Sequence, residues 1–174
     1  MKKGILIAGI GNIFHGDDAF GVEVAQRLSQ KQLPAGVTVI DFGIRGFDLA
    51  FALLDGYETY ILVDVVQRGQ PPGTLYLIEP EIENGTADRN GHGMDPVRVL
   101  RLAQEMGGPS GRVLLVGCEP ETFGPEEEGR MGLSAVVMEA VNAAVLKIET
   151  LVTECLSSAK READVLVEAV IKGE

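Results

Sequence analysis

Two adjacent aspartates, Asp17 and Asp18, stand in a loop that also contains Gly9 and Gly11. The loop follows an apolar run and precedes apolar residues at helical spacing, which predicts a connection from a strand to a helix. Open α/β sheets place their binding sites in such loops. The glycine pattern lacks the third glycine of a dinucleotide fingerprint, where Phe14 stands, and carboxylates repel phosphate. The loop therefore favours a cation over a nucleotide.

A structural role is the alternative interpretation of this acidic pair. One carboxylate is expected to cap the helix that follows, because aspartate is a preferred N-cap residue. A cap uses only one of the two side chains, and the second adjacent acid adds like-charge repulsion. We therefore expect the other carboxylate of the pair to bind a ligand.

Two further polar residues, Asp64 and His92, are predicted at the same edge of the sheet. Asp64 interrupts the apolar run of the third strand near its carboxyl end, and His92 lies in the loop before a helix. In a sheet ordered around strands one and three, the carboxyl ends face one crevice, which Asp18 also borders. Two carboxylates and an imidazole suit a first-row divalent metal with open coordination positions. The alternatives are a helix cap for Asp18, an ion pair of Asp64 with Arg45 and a surface-loop position for His92.

The run from Gly11 to Gly21, which contains Asn12, Asp17 and Asp18, resembles a known family signature. It is similar to the N-terminal motif of the [NiFe]-hydrogenase maturation endopeptidases, which trim the C-terminal extension from the hydrogenase large subunit after nickel insertion. Four further stretches follow in the family's order: Asp41-Phe42-Gly43, Asp64, His92-Gly93-Met94-Asp95-Pro96 and Gly117-Cys118-Glu119-Pro120-Glu121. The resemblance covers roughly residues 4–150.

This resemblance implies a function for each group of motif residues. Asp18, Asp64 and His92 would contact nickel already seated in a large-subunit precursor, and they would take part in hydrolysis of one peptide bond near its C-terminus. Nickel would then arrive with the substrate, and the enzyme would be metal-free at rest. Asp41, beside Gly43, would recognise the substrate, although a turn-forming role for this aspartate is the alternative.

The sequence departs from the family pattern at two positions beside the predicted site. Ile44 stands where many members have threonine, so a hydroxyl contact is not expected there. His15 stands where apolar residues are common, and it could supply another nitrogen ligand to the metal.

Covalent catalysis has no strong candidate in the sequence. Cys118 follows a strand at the catalytic edge, but the adjacent Glu119 would raise its thiol pKa, and a small buried residue is the better interpretation. Ser134 is expected at the start of a helix, and no Gly-x-Ser-x-Gly elbow occurs. These features favour metal-assisted attack by water. Two other functions stay open: a hydrolase with its own bound zinc, and a non-catalytic docking protein that depends on nickel.

Composition limits the class of protein. A chain of 174 residues with 45% hydrophobic content can bury one core, so we expect a single α/β domain over residues 1–174. The net charge of -11 argues against nucleic acid and anionic membranes as partners. The apolar run after Lys2 and Lys3 is too short for a signal peptide or a membrane span. Two cysteines fit a reducing cytoplasm.

The pattern of elements predicts a three-layer α/β/α sandwich around a largely parallel, twisted five-stranded sheet. Strands are predicted at about 4–8, 37–40, 59–66, 74–78 and 112–116, with crossover helices at about 19–31 and 46–55 and another after Asp95. The fourth strand follows the third without a helix, so it is expected to be antiparallel.

The C-terminal region carries apolar residues at alternating spacings of three and four from Ala135 to Val170. This near-heptad stripe predicts a helix from Ser134 to about Lys172, on the order of 60 Å long. Such a helix is longer than the domain is wide, so residues 155–172 form a predicted C-terminal extension. Either the helix breaks near Ser157-Ser158 and folds back, or the extension makes a homodimer or another helix-mediated contact.

Overall fold

The computed structural model describes residues 4–80, 95–125 and 127–172, with side chains up to Arg161. The five strands are β1 (Ile5–Ile10), β2 (Val37–Gly43), β3 (Thr59–Val65), β4 (Leu75–Ile78) and β5 (Arg112–Cys118). The helices are α1 (Phe20–Ser29), α2 (Gly46–Ala52), α3 (Pro96–Glu105) and α4 (Ala135–Lys172).

The strands form one mixed sheet in the order β2-β1-β3-β5-β4. The pairings of β1 with β2, β1 with β3 and β3 with β5 are parallel, and β4 runs antiparallel to β5. Every residue of β1 is buried, as the continuous apolar sequence of a central parallel strand predicts. The predicted fold class is confirmed, including the one antiparallel strand.

Two apolar clusters cover the two faces of the sheet and make the three layers. On one face α1 and α4 pack against the sheet, with Phe20, Leu28, Val141 and Ile148 fully buried. On the other face α2 and α3 supply a second cluster, which is built by Leu49, Leu53, Leu100 and Ala103, among others. The carboxyl ends of β1, β2, β3 and β5 therefore open at one edge of the sheet.

Gly21 brings the first turn of α1 against the sheet. A β-carbon at this position would lie 2.0 Å from the carbonyl oxygen of Val63 and 2.3 Å from that of Ile10. Only glycine permits this approach, because no side chain stands between the helix and the two strands. The loop that precedes α1 is thereby held over the ends of β1 and β3.

The start of α3 agrees with the prediction. Asp95 accepts a hydrogen bond of 2.9 Å from the Val97 amide, and Pro96 occupies the first helical position. Asp95 thus caps a helix at the same edge of the sheet.

The C-terminal helix α4 is a single element that continues through Ser157-Ser158. Of the two alternatives, a break at these serines is wrong, because neither glycine nor proline interrupts the helix. Its 38 residues give a length of about 57 Å. Within the described part of the chain, no helix is both long and apolar enough to cross a membrane.

Candidate functional site

Asp18 lies in a 3₁₀ turn, Gly16–Ala19, between β1 and α1. One of its carboxylate oxygens accepts a hydrogen bond of 3.1 Å from the Asn12 amide. The same oxygen is 4.0 Å from Nδ1 of His15. Burial raises the pKa of Asp18, while the Asn12 amide and His15 act in the opposite direction. The Asp18 carboxyl group is therefore partly exposed, and its neighbours only partly offset the effect of burial on its pKa.

Asp64 is the penultimate residue of β3, and its exposed fraction is only 3%. Burial raises its pKa well above the usual value, and the negative charges of Asp18 and Asp95 raise it further. A hydrogen bond of 2.8 Å from the Val65 amide opposes this shift. The fold therefore brings Asp18 and Asp64 together, as predicted, and adds the helix-capping Asp95. A cation at this edge would stabilise the ionised form of Asp64.

The alternative ion pair between Asp64 and Arg45 is not formed. The Arg45 guanidinium donates to the backbone carbonyls of Phe42 and Asp41 and lies 3.5 Å from the Asp48 carboxylate. Arg45 consequently stabilises the turn after β2, and Asp64 is left beside other acids.

His92, the third residue of the predicted triad, lies outside the described residues. Among the residues that the structure does describe, no three histidine, cysteine or acidic side chains are grouped closely enough to hold a metal ion. The described part of the site is thus a pair of carboxylates rather than a complete set of metal ligands.

Asp17 has a role that differs from the prediction. The expectation that one aspartate of the pair caps a helix is wrong, because neither the 3₁₀ turn nor α1 has a side-chain cap. Asp17 is fully buried, and its carboxylate accepts from the amides of Glu121 and Thr122 and from both the amide and the hydroxyl of Ser134. Asp17 therefore fixes the segment between β5 and α4.

Backbone hydrogen bonds join the same two segments. The Gly16 amide donates to the Arg130 carbonyl at 2.8 Å, and the Asp17 amide donates to the Thr122 carbonyl at 3.0 Å. In return, the Arg130 amide donates to the Phe14 carbonyl at 2.9 Å. The loop that carries Asp18 is consequently held on one side by the β5–α4 segment.

We expect Asp17→Asn to lower the free energy of unfolding by about 3 kcal/mol or more, because an amide nitrogen would then face buried backbone donors. Urea unfolding followed by circular dichroism measures the change. Asp48→Asn is the control, since that carboxylate is exposed and its loss should change stability by no more than about 0.5 kcal/mol. Equal stabilities of the two variants would contradict the anchoring role.

Glu119 is a second buried acid that orders a loop at this edge. Its carboxylate accepts from the amides of Arg68 and Gly69 and from the Tyr76 hydroxyl. Burial opposes ionisation of Glu119, but these hydrogen bonds outweigh it and lower its pKa. The segment after β3 is therefore fixed to the segment after β5.

The predicted substrate-binding residues Asp41 and Gly43 line an open groove that also includes Asn12, whose amide binds Asp18. The groove has a volume of about 350 Å³, and its walls include Ile13, Phe14 and Ile44. Phe14 is 61% exposed and Ile44 is 68% exposed. An apolar groove of this kind can receive a polypeptide segment next to the carboxylate pair.

The two candidate nucleophiles, the Cys118 thiol and the Ser134 hydroxyl, are buried or already hydrogen-bonded. Cys118 is fully buried, and burial together with the charges of Asp17 and Glu119 raises its pKa to about 12. Ser134 directly precedes α4, as predicted, and donates its hydroxyl to Asp17. Neither side chain is arranged as a nucleophile.

The sequence did not predict the anchoring contacts of Asp17 and Glu119, nor that the helix-capping Asp95 lies close enough to raise the pKa of Asp64. Each of these residues lies in one of the motifs described above. Their partners could not be predicted, because the bonds of Asp17 and Glu119 reach segments more than 40 residues away. The pair of adjacent acids indicated only that one of the two binds a ligand, and it gave no sign of the buried partners of Asp17.

The chain is similar to known proteins over most of its length. Residues 22–151 match the family model described as hydrogenase maturation protease. The hydrogenase expression/formation protein HoxM of Cupriavidus necator is 33% identical over 147 residues, which cover 82% of this chain and 71% of HoxM.

Two solved structures share the fold. The hydrogenase maturating endopeptidase HybD from Escherichia coli superposes with a TM-score of 0.72 at 25% identity, over 87% of this chain and 93% of HybD. The hydrogenase 2 maturation peptidase of a Thaumarchaeota archaeon gives a TM-score of 0.64 at 32% identity, over 88% of this chain and 98% of that protein.

Proposed function

The chain belongs to the hydrogenase maturation protease family, and we propose that it removes the C-terminal extension of a [NiFe]-hydrogenase large-subunit precursor after nickel insertion. The observation that carries the proposal is the buried carboxylate of Asp64, whose pKa is raised by burial and by the charge of Asp18. A cation brought by a partner would stabilise the ionised form of a carboxyl group in this position.

We assign the contacts to nickel to Asp18, Asp64 and His92. The two carboxylates are hard oxygen donors, and imidazole suits nickel among the first-row metals. Nickel would be part of the substrate, so the enzyme needs no resident metal. In this proposal the three residues recognise a loaded precursor, and through that contact they place its peptide bond for hydrolysis.

The groove lined by Asp41 and Gly43 is the proposed position of the precursor's C-terminal segment. The exposed side chains of Phe14 and Ile44 would pack on apolar residues of that segment, and Asp41 would contact its polar groups. Attack by water is the proposed chemistry, because the Cys118 thiol is buried and has a pKa of about 12.

A processing experiment tests the proposed function. The full chain is incubated with nickel-loaded large-subunit precursor, and intact-mass spectrometry follows the precursor. We expect loss of one C-terminal peptide. A precursor that binds the chain but keeps its mass would favour the docking protein, and an as-purified stoichiometric zinc ion would favour the zinc hydrolase. We further propose a cytoplasmic location, because two cysteines without a disulfide framework fit a reducing compartment.

We also propose that α4 joins two copies of the chain through residues 155–172. The backbone is helical to Lys172, and the sequence continues its apolar stripe to the end of α4. We expect light scattering to give a dimer for the full chain and a monomer after truncation at Glu154. Leu146→Asp, on an exposed part of α4, should leave the dimer intact. A monomeric full chain, or unchanged assembly after truncation, would contradict this proposal.

A further inference from the structure

His15 is placed beside the carboxylate pair in a defined orientation. Its imidazole stacks on the Phe123 ring, with centroids 5.2 Å apart and an interplanar angle of 15°. Its backbone is paired with Arg130 in an isolated bridge, and its amide donates to the Asn12 carbonyl at 3.1 Å. The ring is therefore held both by an aromatic neighbour and by the β5–α4 segment.

The distance between the side chains of His15 and Asp18 suits a cation bound by both. Nδ1 of His15 is 4.0 Å from Oδ2 of Asp18, which is too long for a hydrogen bond. Two donor atoms that each bind one divalent ion at about 2.1 Å lie no more than about 4.2 Å apart. The two side chains thus have a separation that a shared cation would bridge.

Access and chemistry support the same assignment. The side chain of His15 is 33% exposed and that of Asp18 is 23% exposed, so an ion carried by a partner protein can reach both. A nitrogen donor next to a carboxylate favours nickel over the hard cations magnesium and calcium, which prefer oxygen ligands. The Asn12 amide binds the same Asp18 oxygen and holds the carboxylate toward the ring.

We propose that His15 is an additional nickel-contacting residue, which binds the substrate's metal through Nδ1 together with Asp18. This inference rests on the proposed function, since nickel is its ligand. It concerns a position outside the predicted triad, and it makes this chain more selective for nickel than its carboxylates alone would be.

The test uses the full chain and nickel chloride alone as the probe. The chain contains two histidines, so ¹⁵N-histidine labelling gives two sets of ring signals, which the His15→Phe variant assigns. We expect substoichiometric Ni²⁺ to broaden the His15 ring signals. Calorimetry should show that His15→Phe weakens nickel binding at least tenfold, which is about 1.4 kcal/mol. Phenylalanine retains the stacking on Phe123, and Asp48→Asn is the control that should leave nickel binding unchanged.

The outcomes separate this proposal from the proposed function. Sharp His15 signals in the presence of nickel, no measurable nickel binding by the native chain, or unchanged affinity in His15→Phe would each overturn the assignment of His15. A native chain that binds nickel through His15 but leaves loaded precursor uncut would overturn the proposed function instead. Because the broadening is observed in the native chain, the result does not depend on the folding of the variant.

Discussion

Asp64→Asn is expected to reduce processing of the precursor by at least about 100-fold while leaving the chain folded. The asparagine oxygen can still accept from the Val65 amide, but the charge that would contact nickel is lost. The pKa of Asp64 is raised in the folded chain, so the ionised carboxylate opposes folding at neutral pH. The free energy of unfolding of the variant, measured by urea titration, should therefore be equal to or higher than that of the native chain.

The neighbouring carboxylate supplies the control for this result. Asp18→Glu keeps the charge and adds one methylene, so it should retain more activity than Asp18→Asn. His92→Ala should be as inactive as Asp64→Asn. Full processing by Asp18→Asn, Asp64→Asn or His92→Ala would show that the substituted residue is not part of the site. A loss of stability in Asp64→Asn would show that the charge of Asp64 has a structural role.

Precursor that lacks nickel is expected to be cut at least about 100-fold more slowly than loaded precursor, even with excess enzyme. The two carboxylates need a cation to offset their mutual repulsion, and in this proposal only the loaded substrate brings one. Quantitative mass spectrometry of both precursors over the same time course measures the ratio.

Two additions make the nickel experiment decisive. Zinc-loaded precursor shows whether charge alone suffices, and prior chelation of the enzyme removes any metal bound to it. Equal cleavage of loaded and nickel-free precursor would contradict recognition of nickel. It would instead indicate a hydrolase with its own metal.

The elements that the sequence predicts well are those with local causes. β1 is apolar throughout because it is covered on both faces, and α3 begins at Pro96 because its cap, Asp95, directly precedes that proline in the sequence. The meeting of Asp18 with Asp64 could also be predicted, since Asp18 follows β1, Asp64 lies near the end of β3, and the carboxyl ends of these parallel strands share one edge.

The contacts that the sequence does not predict join distant segments. A carboxylate that caps a helix and one that anchors a remote loop have the same local sequence, so the sequence could not show that Asp17 binds the segment between β5 and α4. The stacking of His15 on Phe123 likewise depends on how the β5–α4 segment packs, which no local pattern encodes. The heptad stripe of α4 predicted a helix but could not decide whether it bends.

The anchoring of Asp17 has a consequence for the order of events during synthesis. Its bonds to Ser134 connect residues 117 positions apart, so the closing contact forms only after most of the chain has left the ribosome. Such a long-range contact is entropically costly to close and depends on elements that fold earlier. A nascent chain that ends in β5 would contain Asp18 and Asp64 but not the Ser134 hydroxyl and amide, which bind Asp17 and fix the 3₁₀ turn that carries Asp18. We therefore expect the 3₁₀ turn that carries Asp18 to reach its final geometry only after the start of α4 has been synthesised.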